Sequence, residues 1–191
     1  MAEPLTVCVY CSSSASIDPT HLVAAEELGR LLARAGHHLV WGGASLGLMG
    51  EVARAVRAAG GRTVGVIPEA LVAREIADHD ADELIVTADM AGRKAEMSAR
   101  ADAFVALPGG FGTLEELLEQ LTLRLLGYHD KPIVLVDVDG FWQPLLALFE
   151  HLYERRFAPP ECRDAYAVAT TPSEVLALLE AAPATLPGTR P

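Results

Sequence analysis

Short apolar runs rich in β-branched residues alternate with longer amphipathic stretches along most of this chain. The apolar runs predict strands buried on both faces, at Thr6 to Tyr10, Leu39 to Trp41, Thr63 to Ile67, Ala103 to Leu107 and Ile133 to Val138. The stretches between them have the apolar spacing of helices, at His21 to Ala35, Gly50 to Ala59, Asp89 to Ala101, Thr113 to Leu126 and Phe141 to Arg156. This alternation predicts repeated strand–helix–strand units and therefore a parallel sheet.

The crossovers between parallel strands are right-handed, so the helices should cover both faces of the sheet. We therefore predict an α/β fold, a single-domain Rossmann-like doubly wound parallel sheet over residues 1–182, with residues 183–191 as a flexible tail. A last short strand is expected at Val168 to Thr170 and a last helix from Thr171 to Glu180, while the acidic segment Ile76 to Glu83 should be a surface loop. Ligands of such folds bind beyond the carboxyl ends of the strands.

Charge and cysteine content restrict the partners. The formal net charge of −11 argues against nucleic acid, whose binding depends on clustered Lys and Arg. Backbone N–H groups at a helix start can still hold a small anion. Three cysteines, an odd number, and no basic-then-apolar leader favour a cytoplasmic location. No apolar run approaches the roughly 20 residues that span a bilayer, so no membrane association is expected.

Polar and glycine-rich turns follow the first two predicted strands. Ser12 and its neighbours offer hydroxyls to a ribose or phosphate, although serines there equally cap the next helix. The second turn contains Gly43-Ala44-Ser45-Leu46-Gly47, which matches the G-x-S-x-G nucleophile elbow of α/β-hydrolases. That reading lacks an upstream oxyanion loop and an evident histidine partner for Ser45. A close-packing turn where Gly43 lets a substrate approach the backbone is the favoured interpretation.

The third turn carries the strongest signal. Strand Ala103 to Leu107 leads into Pro108-Gly109-Gly110-Phe111-Gly112-Thr113, and a helix is predicted to begin near Thr113. Glycines leave backbone N–H groups free to converge on an anion, and Thr113 can cap the helix and bond a phosphate oxygen. The Lys of a Walker P-loop is missing, which disfavours nucleoside triphosphate hydrolysis. We predict a phosphate-binding turn.

Charged residues flank this turn in the sequence. Glu115, Glu116 and Glu119 lie in the first turns of the predicted helix, where they favour the helix dipole and where a ribosyl carbon would also lie. Arg93 and Lys94 lie in the preceding helix, one strand away. Paired cations on a helix are usually solvated, but this position makes them candidates for the site.

Together these segments resemble a known family. Gly92-Arg93-Lys94-Ala95-Glu96-Met97 followed by Pro108-Gly109-Gly110-Phe111-Gly112-Thr113-Leu114-Glu115-Glu116 is similar to the PGGxGTxxE signature of the Lonely Guy (LOG) family, whose members are cytokinin riboside 5'-monophosphate phosphoribohydrolases once labelled lysine decarboxylases. The turn ending in Gly47-Leu48-Met49-Gly50 resembles the family's second motif. The order of elements agrees from about Thr6 to Phe157.

The resemblance implies hydrolysis of a cytokinin nucleotide, or of AMP, to free base and ribose 5-phosphate without a metal or redox cofactor. It also implies a homodimer or higher homo-oligomer. By motif, the catalytic residues are Arg93 and Glu116, and the nucleotide is held by Glu75, Lys94, Gly109, Gly110, Phe111, Gly112 and Thr113, with Glu115, Ser12 and Gly43 as further candidate contacts. The family's usual His and Gln before the Arg-Lys pair are Ala91 and Gly92 here, and Ala44 replaces the third glycine of its second turn.

Two other functions remain open from the residues. A nucleotide-binding or cofactor-carrier protein of this fold would keep the phosphate turn but would need neither Arg93 nor Glu116. An esterase would use Ser45. Lysine decarboxylation is disfavoured because such enzymes usually need a lysine that forms a pyridoxal Schiff base, and the chain has few lysines, Lys94 and Lys131, with no supporting site.

Overall fold

A computed structural model describes residues 3–72 and 76–181, in which seven strands form one parallel sheet. The strands are β1 (Thr6–Tyr10), β2 (His38–Trp41), β3 (Thr63–Pro68), β4 (Glu83–Thr87), β5 (Ala103–Ala106), β6 (Ile133–Val136) and β7 (Ala167–Ala169), in the spatial order β4-β3-β2-β1-β5-β6-β7. The five predicted internal strands are confirmed, and so is the short last one.

Helices cover both faces of this sheet. They are α1 (Pro19–Arg34), α2 (Gly47–Ala58), α3 (Glu69–Val72), α4 (Met90–Arg100), α5 (Phe111–Leu125), α6 (Gln143–Glu154) and α7 (Pro172–Glu180), with 3-10 turns at Val138–Gly140 and Pro160–Ala165. Alternate β1 residues pack to opposite sides: Val7 with α1, α2 and α7, and Cys8 with α4, α5 and α6. The doubly wound α/β fold predicted from the sequence is therefore confirmed.

The connectivity reverses at β1, and this reversal determines where a ligand can bind. The chain runs outward from β1 through β2 and β3 to β4, then returns to place β5 on the other side of β1. The loops after β1 and β5 separate to opposite faces at such a switch point, which leaves a crevice beyond the carboxyl ends. The predicted phosphate-binding turn follows β5 at this crevice.

Some predicted boundaries were wrong, for identifiable reasons. The edge strand β4 was not predicted, because its residues are mostly half-buried and do not form a continuous buried run. The predicted surface loop Ile76 to Glu83 is partly interior: Ala77 and Asp78 are buried, and Ala77 forms a β-bridge with Ala44. Helix α5 begins at Phe111 with Gly110 as its N-cap, so Thr113 lies inside the first turn and is not the cap.

Strand β6 also ends earlier than predicted, at Val136. The following Asp137 carboxylate accepts a hydrogen bond from the Trp142 backbone N–H at 2.6 Å, which turns the chain away from the sheet. The end of the predicted domain at residue 182 and the predicted tail at 183–191 lie outside the described residues. Within the described part, no helix is long and apolar enough to cross a membrane.

One substitution in α4 should stabilise the protein. Gly92 is exposed in the first turn of the helix, and an added Cβ would lie 3.4 Å from Asp89 Oδ1 and 3.6 Å from Thr87 Cβ, which are ordinary contacts. Alanine restricts the unfolded chain more than glycine does. We expect Gly92→Ala to raise the free energy of unfolding by about 0.5–1 kcal/mol in urea titrations.

The matched control is Gly43→Ala. Gly43 has a φ of +71° and an added Cβ would lie 3.0 Å from Ile67 Cβ, so the same methyl group should destabilise the protein there. Equal effects of the two substitutions would show that the conformation of the glycine does not determine the outcome.

Candidate active site

A cleft of about 320 Å³ opens at the carboxyl ends of β1, β2, β3 and β5. It is lined by Cys11, Ser12, Ser13, Ser14, Gly42, Ala44, Met49, Leu71, Ile76, Arg93, Gly110, Gly112, Thr113 and Glu116. These residues come from the turns after β1, β2 and β5 and from helices α2, α3, α4 and α5, with Ile76 from the connection after β3. The cleft therefore occupies the crevice that the strand order creates.

The start of α5 is the part of the cleft best suited to bind an anion. No side chain caps this helix at Gly110. Cβ atoms built at Gly110 and Gly112 would meet no heavy atom within 4 Å, so space lies beside the turn. Gly109 has a different role, since a Cβ there would approach Thr113 Oγ1 to 2.1 Å. Backbone N–H groups and the helix dipole favour a phosphate at this position.

Arg93 and Glu116 form a buried ion pair beside the turn. Arg93 Nη1 lies 3.3 Å from Glu116 Oε1, and the two residues are only 5% and 3% exposed. Arg93 Nε also donates a hydrogen bond to the Val66 carbonyl at 3.1 Å, which fixes the guanidinium at the end of β3. The guanidinium passes so close to Gly42 that an added Cβ there would lie 1.8 Å from Nη2. The position of this arginine therefore depends on three separate segments.

Burial changes the acidity of Glu116. Desolvation raises the pKa of its carboxyl from 4.5 to about 7, and the nearby Arg93 charge opposes this shift. A carboxyl with a pKa near neutrality exchanges a proton easily under working conditions, which suits a general acid or base. Glu116 is one of the residues that line the cleft, so a ribosyl ligand bound there can approach its carboxyl group.

The raised pKa of Glu116 predicts that the free energy of unfolding depends on pH. Below about pH 4.5 Glu116 is protonated in both the folded and the unfolded state. Between about 4.5 and 7 the unfolded chain ionises first, so the free energy of unfolding falls as the pH rises. Glu116→Gln removes this loss, and we expect it to be more stable than wild type by about 3 kcal/mol at pH 8.

Urea unfolding of both proteins at pH 4 and pH 8 tests this expectation. The difference should shrink towards zero at pH 4, where the wild-type carboxyl is neutral like the amide. An equal difference at both pH values would contradict a raised pKa for Glu116.

Six of the twelve predicted site residues line the cleft. Ser12, Arg93, Gly110, Gly112, Thr113 and Glu116 line the cleft. Gly43 and Gly109 adjoin lining residues, and the Phe111 side chain is 92% exposed at the start of α5. Glu75 lies outside the described residues.

Lys94 and Glu115 lie on another side of α4 and α5. Lys94 Nζ forms ion pairs with Glu115 and, at 3.2 Å, with Glu119. These partners raise the pKa of Lys94, chiefly through the hydrogen bond to Glu115. Lys94 and Glu119 line a separate cavity of about 510 Å³, and Lys94 does not line the cleft. Nucleotide binding by Lys94 and Glu115 stays a prediction.

Sequence reasoning missed the apolar side of the cleft, which is formed by Ala44, Met49, Leu71 and Ile76. Leu71 and Ile76 come from the connection after β3, where only Glu75 was predicted to contact a ligand. The rule that ligands bind beyond every strand near the switch point would have indicated this connection. The residue types alone did not.

Ser45 has a structural contact in place of a catalytic one. Its Oγ donates a hydrogen bond to the Ile76 carbonyl at 3.4 Å, and its backbone N–H donates to the same oxygen at 2.9 Å. Neither Ser45 nor any histidine is among the residues that line the cleft. A nucleophile elbow needs an exposed serine beside a histidine, so this geometry does not support an esterase.

The fold and the site define a Rossmann-like α/β protein with a glycine-rich turn at a helix start next to a buried Arg–Glu pair. Comparison with known proteins agrees with this class. A family model described as possible lysine decarboxylase matches residues 49–179. A probable cytokinin riboside 5'-monophosphate phosphoribohydrolase of Oryza sativa subsp. japonica is 46% identical over 175 residues, which are 92% of this chain and 70% of that protein.

A cytokinin riboside 5'-monophosphate phosphoribohydrolase of Mycobacterium tuberculosis is 49% identical over 174 residues, 90% of this chain and 91% of that protein. Among solved structures, a molybdenum cofactor carrier protein of Chlamydomonas reinhardtii superposes with a TM-score of 0.71 at 28% identity, covering 92% of this chain and 95% of that one. The chain belongs to the Lonely Guy family of cytokinin riboside 5'-monophosphate phosphoribohydrolases.

Proposed function

We propose that this protein hydrolyses the N-glycosidic bond of cytokinin riboside 5'-monophosphates, and of AMP, to give the free base and ribose 5-phosphate. The observation that carries the proposal is the buried Arg93–Glu116 pair, 3.3 Å apart, in the same cleft as the uncapped start of α5. A phosphate at the helix start and a carboxylate one turn along it would bracket a ribose.

The reaction breaks the bond between the ribose C1' and a base nitrogen, and the bonding electron pair leaves with the base. Positive charge develops on the ribose, as in other oxocarbenium-like glycoside hydrolyses. The Glu116 carboxylate stabilises this charge and takes a proton from the attacking water, whose oxygen then bonds to C1'. The departing base nitrogen takes up one proton from solvent and Glu116 later releases its proton to solvent, so the net reaction consumes one water.

Arg93 has a matching role in the substrate complex. Its guanidinium is fixed by Val66 and Glu116 before a ligand arrives, so it needs little reorganisation to contact the ribose or its developing charge. It also favours the ionised form of Glu116, since its positive charge opposes the effect of burial on that carboxyl. The pair thus works as a unit.

A non-catalytic carrier of nucleotides or a related cofactor is the second candidate, because the carrier protein of C. reinhardtii shares this fold. Two observations favour the hydrolase. The identity is 46–49% to the two phosphoribohydrolases but 28% to the carrier. A carrier also has no need for a buried carboxylate with a pKa near neutrality beside its ligand.

The decisive experiment is chromatography of the purified protein after incubation with AMP or with isopentenyladenosine monophosphate. We expect free base and ribose 5-phosphate in equal amounts from both, and little from adenosine, which lacks the phosphate. Ser45→Ala should keep this activity. Binding of both nucleotides without base release would overturn the hydrolase and favour the carrier.

We also propose that the protein acts as a homodimer or a higher homo-oligomer. Helix α5 presents Phe111 and Leu118, and its C-cap residue is Leu126; these are 92%, 41% and 66% exposed and recur at spacings of seven and eight residues. An apolar helix stripe of this kind suits burial against a second copy. Light scattering should give at least twice the mass of the 191-residue chain, and Leu118→Arg should lower it. A wild-type monomer would contradict this proposal.

The cysteines and the net charge bear on the cellular location and on the remaining partners. The three cysteines are buried free thiols, as expected in a reducing compartment, and we propose that the protein is cytoplasmic. The net charge of −11 argues against nucleic acid as a partner.

A further inference from the structure

The two sides of the cleft come from different strands. The anion-binding turn follows β5, whereas the apolar residues Ala44, Leu71 and Ile76 follow β2 and β3. Strand β1 lies between them, so β5 and β3 are three strand spacings apart, roughly 14 Å. These three apolar residues form one wall of the cleft. A nucleotide whose phosphate lies at α5 would reach this wall with its flat, largely apolar base. The wall therefore has to be held at a fixed distance.

Ile76 is attached to the rest of the wall by a short β-bridge. The Ser45 N–H donates to the Ile76 carbonyl at 2.9 Å, and the Asp78 N–H donates to the Gly43 carbonyl at 2.8 Å. Ala44 and Ala77 are the antiparallel bridge partners. Two hydrogen bonds outside a regular strand give a weak attachment on their own.

A buried ion pair reinforces this bridge. Asp78 is 4% exposed, and its Oδ2 accepts a hydrogen bond from Arg57 Nη2 of α2 at 3.0 Å. Its Oδ1 accepts from the Asp80 backbone N–H at 3.1 Å, so both carboxylate oxygens are used. The Arg57 side chain is 18% exposed. Neither Asp78 nor Arg57 lines the cleft.

We propose that Asp78, held by Arg57, is a positioning residue that fixes the Ile76 wall against which the base of the nucleotide binds. The inference rests on the proposed function, because it assumes a nucleotide in this cleft. It predicts a selective defect. Loss of the ion pair should weaken contacts to the base, while the phosphate turn after β5 and the Arg93–Glu116 pair stay intact, because the Asp78 carboxylate bonds to neither of them.

The test compares Asp78→Ala with wild type in steady-state base release from AMP. We expect KM to rise about tenfold, the loss of one charged hydrogen bond, with kcat within about twofold. The inhibition constant of the product ribose 5-phosphate should not change, because that molecule does not reach the wall. Asp78→Asn, which keeps a weaker hydrogen bond to Arg57, should give an intermediate KM.

Glu83→Ala is the matched control. Glu83, at the start of β4, forms an ion pair of the same length with Arg62, 3.0 Å, and another with Arg100 at 3.2 Å, but all three side chains are at least partly exposed. It should leave both KM and ribose 5-phosphate inhibition unchanged. An unchanged KM in Asp78→Ala, or an equal loss of affinity for AMP and ribose 5-phosphate, would overturn the positioning role.

Calorimetry separates this proposal from the proposed function. AMP and ribose 5-phosphate are titrated into Glu116→Gln and into the double variant that also carries Asp78→Ala, so no turnover is required. Weaker binding of AMP alone in the double variant supports the positioning role even if wild type releases no base. If neither protein binds AMP, both proposals fail.

Discussion

Glu116→Gln should lower kcat/KM for base release by about 10³-fold, because it removes a carboxylate that both stabilises charge on the ribose and accepts a proton from water. The amide is nearly isosteric and cannot carry the charge. Glu116 is 3% exposed and lies 3.3 Å from Arg93, so neither water nor another carboxylate can replace it without moving the buried pair. We expect AMP binding to survive.

The measurement is the pH profile of kcat/KM for both proteins. In wild type the ratio should rise with pH through about 7, where Glu116 ionises, and the residual activity of the variant should lack that step. Glu119→Gln is the control, since Glu119 lies one turn further along α5 and pairs with Lys94. Its activity should stay near wild type, with the step at slightly lower pH because the Glu119 charge raises the pKa of Glu116.

A Glu116→Gln protein that released base at the wild-type rate would remove the carboxylate from the mechanism. If activity is lost as expected, the gain in stability at high pH shows that the loss does not come from unfolding. A variant that folds more stably than wild type, yet has lost its activity, has lost chemistry and has not lost structure. Sites whose catalytic group is unfavourable for folding commonly show this exchange.

The sequence predicted the parts of this fold and site that depend on local pattern. Continuous apolar runs identified β1 and β5 because both faces of these strands are covered, whereas β4 at the sheet edge, with Val86 53% exposed, lacks such a run. The phosphate turn was recognisable because its glycines and Thr113 are adjacent in the chain. Each of these signals lies within about ten residues.

Contacts between distant segments could not be predicted in this way. Asp78 appeared to belong to an acidic surface loop, since nothing in its neighbourhood indicates that Arg57, 21 residues earlier, makes its burial possible. Lys94 follows Arg93 directly, yet the helix directs the two side chains to different cavities. The family resemblance indicated that both Arg93 and Lys94 belong to the site. Only the three-dimensional structure shows that the two side chains have different surroundings.

Gly42→Ala should lower kcat by about 10²-fold although it removes no side chain from the cleft. The added Cβ would lie 1.8 Å from Arg93 Nη2 and 2.9 Å from Cζ, distances that no relaxation short of moving the guanidinium can relieve. Arg93 would then lose its hydrogen bond to Val66 or its contact with Glu116. Gly42 has no positive φ, so backbone strain does not contribute.

A double-mutant cycle tests whether the methyl group acts through Arg93. Adding Gly42→Ala to Arg93→Ala should cost little further activity, because the truncated side chain no longer occupies the space of the new Cβ. Gly92→Ala serves as the control, since it adds the same methyl next to Arg93 in α4 without meeting the guanidinium. Additive losses in the cycle would mean that Gly42 serves the substrate directly, and that the close approach of Arg93 to the turn after β2 is incidental to catalysis.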